Sequence, residues 1–278
     1  MIVADAPPHR GGTWKIVTGG ALFLLVLLPV AFASVLPLPL STQTALGSRL
    51  LPPFSPGHIL GTDQLGRDLL SRLIWGGQVS ITIGLLAMVV AGLVGTTLGF
   101  IAGYYRGWVD TVVSRGIEAQ LSLPLLMLLL LMIAVFGSSI PVIVLVLAVA
   151  QWPESARISR SLTMVESEKL YVTAARTTGT SSLKIFILHI LPNVASRVLV
   201  VVLLLLSTSA LLESSLSYLG LGVERPYPTW GRIIADGQQY VSSAWWLVVI
   251  PGIVISFLVL GVNLLGDGLR QRFTGEGK

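Results

Sequence analysis

Apolar residues in this chain fall in long runs rather than in narrow stripes. Six stretches carry almost no charge: about Ile16 to Leu36, Val79 to Gly103, Leu121 to Phe136, Ile140 to Trp152, Val198 to Leu212 and Trp245 to Leu265. A helix needs about 20 apolar residues to cross a hydrocarbon layer of about 30 Å, so the runs predict six membrane-spanning helices. The fourth reaches that length only if its helix continues through Glu154 and Arg157, which puts those side chains near the interface or inside the protein. In the second run Gly95, Gly99 and Gly103 recur every four residues with Gly92 nearby, a bare helix face on which another helix packs closely. Between the first two runs, Pro37, Pro39, Pro52, Pro53 and Pro56 predict an irregular loop up to about Gly61. From Leu65 to Trp75, Leu69, Leu70, Leu73 and Ile74 oppose Arg67, Asp68, Ser71 and Arg72, the pattern of an interfacial amphipathic helix.

Composition agrees with the runs. The chain is 53% hydrophobic and 11% charged with a mean hydropathy of +0.83, against roughly 25% charged residues in a soluble domain. Placing the N-terminus in the cytoplasm leaves only Arg49, Arg67, Arg72, Arg225 and Arg232 of the 18 Lys and Arg outside, which predicts both termini inside. The net charge of +5 then reflects cytoplasmic-side cations rather than affinity for nucleic acid. Arg10, Lys15 and Ala31-Phe32-Ala33 imitate a cleavable signal around the first run, but the run is long for one and reads as an anchor. With no cysteine, disulfides and thiolate metal sites are excluded.

The longest inner connection, about 156–197, holds the densest chemistry. Tyr171, Ala174, Ala175 and Thr178 fall at i, i+3, i+4 and i+7, a smooth helical stripe. Gly179 suits a positive φ that stops this helix, and Ser181 and Ser182 offer the cap of a second short helix ending before Leu191 and Pro192. No Gly-x-x-x-x-Gly-Lys-Ser/Thr phosphate cradle is present, and His9, His58 and His189 lie in tails and loops without a metalloprotease spacing, so catalysis and ATP hydrolysis are not expected of this chain. An ion-coupled secondary carrier would need no ATPase but would rely on buried acids. Glu118 and Glu213 are the main such acids, and both fall near predicted span ends. A Glu213 facing a cavity would attract a cationic group of a cargo. The outer segment from Ser217 to Trp246 is rich in Tyr, Trp and Pro, as an interfacial belt is.

The stretch YVTAARTTGTSSLKIFILHILPN resembles the EAA loop of bacterial importer permeases: Ala174, Ala175, Gly179, Leu191 and Pro192 fit, with Ile190 or Leu188 near the aliphatic position. Thr173 stands where that pattern usually has Glu. GTDQLGRDLLSR, QWPESARISR, SYLGLGVERPYPTWG and NLLGDGLR are similar to segments of the dipeptide, oligopeptide and nickel permeases, and more narrowly to the second of their two paired permeases, over about residues 61–270.

The resemblance implies an all-α integral membrane protein of the type I ABC importer permease fold in the bacterial cytoplasmic membrane. Its units are expected at 1–36 (tail and first span), 37–78 (outer loop and amphipathic helix), 79–270 (permease core) and 271–278 (tail). The resemblance implies a coupling helix made by Glu168, Tyr171, Ala174, Ala175, Arg176, Thr178 and Gly179. Expected partners are a second homologous permease, two ATP-binding subunits that hold the ATP and magnesium, membrane lipid, and an outer solute-binding protein met through Arg225, Tyr227 and Trp230. Peptides are the expected cargo, with nickel chelates and haem as alternatives.

Overall fold

The computed structural model describes residues 11–36, 39, 42–224 and 227–274. Among them the order is α1 (Gly11–Ala31), α2 (Leu69–Tyr105), α3 (Gly107–Leu121), α4 (Leu125–Phe136), α5 (Ile140–Ser167), α6 (Leu170–Thr177), α7 (Ser182–Ile185), α8 (Leu191–Tyr218), α9 (Trp230–Gly237) and α10 (Trp246–Thr274). Five helical stretches are long and apolar enough to cross a membrane, counting α7 and α8 as the single stretch Ser182–Tyr218. The pair α3 and α4, bent by 89°, makes a sixth if it is taken as one crossing. The bend has a local cause. Pro124 has no N–H to continue the helix and pushes Leu123 away from the helical region, so α4 restarts behind it.

The boundaries expected ahead of the second span and ahead of Pro192 move, while the extension of the fourth span holds. The stretch Leu65–Trp75 is not a separate interfacial helix: α2 starts at Leu69, capped by the Asp68 carboxylate accepting from Ser71 N, and runs unbroken to Tyr105. Leu69, Leu73 and Ile74 on its apolar side and Ser71 and Arg72 on its polar side are all buried, because an outer polar cluster neutralises the charge. The unit boundary expected at 78/79 therefore falls inside a helix. The fourth span does continue through Glu154 and Arg157, to Ser167. The second short helix of the inner connection does not stop before Pro192. It passes through a π turn, Phe186–Ile190, into α8. The wider turn closes with Leu191 N donating to Phe186 O, a one-residue adjustment of the kind that lets a helix absorb a proline.

The helices meet along glycine seams. A Cβ on Gly95, Gly99 or Gly103 would stand 2.0 Å from Ser155 Oγ, 2.3 Å from Ala156 O and 2.6 Å from Arg160 O, so α2 and α5 lie backbone to backbone, as the four-residue spacing predicts. A second seam joins α1 to α10, where a Cβ on Gly19 would meet Leu265 N at 2.6 Å and one on Gly261 would meet Phe23 N at 2.7 Å. On the outer side Val30, Leu73, Trp230, Ile233 and Leu247 form a core. On the inner side a small cluster of Val172, Ile185, Ile190 and Val194 sits under the α6–α7 hairpin.

Candidate functional site

The inner connection folds as two short helices joined by a tight turn, at the end of the molecule where α2 and α5 finish and α8 begins. Its geometry comes from a few residues. Val172 is fully buried and anchors α6 on the inner cluster, beside Phe100 and Tyr104 of α2. The turn is a Schellman closure: Thr180 N donates to Ala175 O and Gly179 N to Arg176 O, both at 3.1 Å. Gly179 carries the left-handed φ of +77° that this closure requires, which a branched side chain adopts only under strain. Ser181 occupies the cap position of α7 but makes no side-chain cap bond.

With Val172 turned inward, the predicted stripe faces out. Ala174, Thr178 and Gly179 are exposed, Ala175 is half-buried, and Thr173, at the position usually filled by Glu, is exposed as well. The result is a protruding tip without bulky side chains. Leu170 and Leu183 stand out to its sides. Not every residue expected on the contact surface reaches it freely. The Arg176 guanidinium lies over the Tyr104 ring, 5.9 Å from its centroid. Glu168 accepts from Arg106 Nη2 at 2.8 Å, an exposed pair of small energetic weight.

Tyr171 exposes part of its ring but sends its hydroxyl inward as a donor to Glu166. Burial first, and the Glu166 carboxylate second, push the phenol up to about 12, so it remains a donor throughout the physiological range. Glu166, at the foot of α5, is the residue that sequence reasoning missed. Buried to 1% exposure, its carboxylate meets Lys169 Nζ at 2.8 Å and Arg197 Nη2 at 3.6 Å. One carboxylate thus ties α5, α6 and the start of α8 together at the root of the hairpin. Only the Glu166–Lys169 spacing of three residues hinted at it in sequence.

The expected outer contact set divides. Tyr227 is exposed, and Arg225 lies outside the described residues. Trp230 is fully buried, with Nε1 donating to Leu73 O at 2.9 Å and its backbone N to Ser80 Oγ at 3.3 Å. It is a core residue and offers no surface to a receptor.

Glu213 is also fully buried. Ser217 Oγ donates to its Oε1 at 2.7 Å. Ser80, Ser214 and Thr229 surround the carboxyl, although none meets Oε2 in hydrogen-bond geometry. The neighbouring Leu212 lines a cavity of about 730 Å³ bounded by the α3–α4 bend, α5 and α8, whereas Glu213 turns away from it toward α2 and α9. A direct encounter between Glu213 and cargo in that cavity is therefore not supported. Among the described residues no cluster of His, Asp and Glu could hold a metal.

Comparison with known proteins bears on this arrangement. Residues 95–275 match the family model described as binding-protein-dependent transport system inner membrane component. A dipeptide transport system permease protein of Alkalihalophilus pseudofirmus is 35% identical over 255 residues, covering 92% of this chain and 84% of that relative. A di/tripeptide transport system permease protein of Pseudomonas aeruginosa is 36% identical over 259 residues, covering 91% and 86%. A glutathione transport system permease protein of Pectobacterium atrosepticum is 34% identical over 257 residues, covering 92% and 85%.

Proposed function

The chain belongs to the family of binding-protein-dependent transport system inner membrane components, and from that premise we propose that it imports peptides, with its α6–α7 hairpin as the lever moved by an ATPase. As a member of that family it is an ABC importer permease of the inner membrane, all-α and non-catalytic, working with ATPase and solute-binding partners. Peptide cargo is inferred from the dipeptide and di/tripeptide systems to which its relatives belong.

The observation that carries the lever is the shape of the hairpin. Its outer face is small and bare at Ala174, Thr178 and Gly179, while its inner face is fixed by Val172 and its root by Glu166. A partner can approach that tip closely, and a push on it reaches α5 and α8 through the root. Ala174, Ala175, Thr178 and Gly179 form the contact. Tyr171 stiffens the hairpin from within, and Arg176 and Glu168 edge it. In the full assembly two permeases of this kind enclose the path and two ATP-binding subunits carry ATP and magnesium. The solute-binding protein docks outside near Tyr227, and ATP binding shifts the balance between inward-open and outward-open states.

The test is reconstitution of the complete importer, with its receptor, in vesicles. Uptake of a labelled dipeptide is expected to require both ATP and the receptor. Uptake by this chain alone, driven by an ion gradient and indifferent to ATP, would contradict the proposal.

A further inference from the structure

Glu154 and Arg157 are two formal charges set into the wall of the 730 Å³ cavity, on α5. Glu154 is the fifteenth residue of a 28-residue helix, so at 1.5 Å per residue it lies about 20 Å from either end of α5, just past the apolar run Ile140–Trp152. A charge in the interior of a crossing helix is costly unless it is paired or faces water. Both side chains face the cavity and are exposed, and among the described residues neither makes an ion pair or hydrogen bond.

The wall that carries them is held firmly. Gln151 Nε2 donates to Ser209 Oγ of α8 at 2.9 Å, and Trp152 Nε1 to Gln120 Oε1 of α3 at 2.7 Å. Pro153 has no N–H, so the carbonyl four residues earlier, Val149 O, lacks its helical donor. Gln120 Nε2 supplies one. The opposite side of the cavity is apolar, with Leu125, Leu128 and Leu212.

We propose that Glu154 and Arg157 form a subsite for the two charged ends of a short peptide, with Glu154 receiving the ammonium group and Arg157 the carboxylate. The inference rests on the peptide-permease reading. Residues at i and i+3 hold their Cβ atoms roughly 5–6 Å apart on one helix face, a spacing compatible with the termini of a dipeptide. Guanidinium is suited to bidentate binding of a carboxylate. The volume falls within the roughly 300–1,000 Å³ of small-molecule sites. Charged termini are common to all unmodified peptides, while the leucine wall accepts varied side chains without selecting among them.

The experiment uses the complete importer in vesicles with dialanine as cargo, comparing the parent with Glu154→Gln and Arg157→Gln. Each variant is expected to lower dialanine uptake per ATP hydrolysed about tenfold, the scale of one lost charged hydrogen bond, while assembly and receptor-stimulated ATP hydrolysis persist. The chain has no cysteine of its own, so a Thr208→Cys reporter in the same cavity gives a second readout. Dialanine should protect it from a polar maleimide in the parent, and protect it less in either variant. Uptake and protection at parental levels in both variants would overturn the subsite alone. Loss of uptake only through dissociation of the paired permease would overturn it too, by assigning the charges to that interface. A parent importer that carries no peptide would overturn the cargo reading first, and the subsite with it.

Discussion

The outer and inner ends of the molecule are fastened by different means. Outside, Asp63 is 1% exposed and accepts from the backbone N–H groups of Leu65 and Arg67, from Arg67 Nε at 2.6 Å and from Arg72 Nη1 at 2.7 Å. Arg72 also reaches Asp236 on α9 at 3.2 Å, and Arg232 lies 3.4 Å from the same carboxylate. His58 and Asp68 pair at 2.9 Å, and Trp246 Nε1 donates to Thr62 O. Loop, α2, α9 and α10 are thereby locked into one platform. Inside, the hairpin rests on four buried aliphatic side chains and one buried carboxylate, with the exposed Arg106–Glu168 pair beside it. A dense knot of buried charge resists displacement, because every broken contact strands a desolvated ion. A small aliphatic patch with a single buried ionic root can shift as a unit at lower cost. The difference suits a transporter that receives cargo on a fixed outer face and is driven from a movable inner one.

The contrast yields graded predictions. Arg72→Met leaves Asp63 and Asp236 with Arg67 alone as a shared cation and should cost about 3 kcal/mol, seen as poor accumulation and a large drop in the thermal midpoint of the purified complex. An unchanged midpoint would show that the knot does not hold the platform. Glu166→Gln weakens the charged contacts at the hairpin root by about 1.5–3 kcal/mol. Faster hydrogen exchange should then appear in α6 and α7 with the outer segments unaffected, and a uniform change across the protein would argue against a separately held lever. Tyr171→Phe removes one donor to Glu166 and should cost about 1 kcal/mol, a several-fold loss of peptide uptake at most. Thr173→Glu alters an exposed site and should change stability by less than about 0.5 kcal/mol. If it nonetheless changes the rate of uptake, the ATPase contact extends across this position.

The spans were legible because a crossing helix must be apolar over about 20 residues whatever it packs against, and the α2–α5 seam because glycines every four residues fall on one face. The turn at Gly179 was legible from local chemistry alone. The outer knot was not, since Arg72 and Asp236 are 164 residues apart and only the fold makes a polar helix face into a buried one. Trp230 reads as a belt aromatic until its neighbours on α9 are counted. Ile233 and Ile234 at i+3 and i+4 belong to the same core, an apolar face that the aromatic content of the segment obscures. The continuation of α5 through two charges was legible from the length a crossing needs, whereas that of α7 through Pro192 was hidden because a π turn absorbs the proline. Glu166 was overshadowed by the more accessible Glu168, since burial and tertiary partners leave little trace in local spacing.

The central claim is that the hairpin tip transmits the work of ATP. It is tested most directly by comparing Ala175→Glu and Gly179→Val with the parent in the reconstituted importer, measuring membrane insertion, ATP hydrolysis and peptide uptake side by side. Both variants should insert at the parental level and lose uptake, because a carboxylate at Ala175, on the edge of the cluster under the hairpin, or a side chain at a φ of +77° displaces the tip while the apolar spans keep their sequence. Uptake at the parental rate in both would contradict the account.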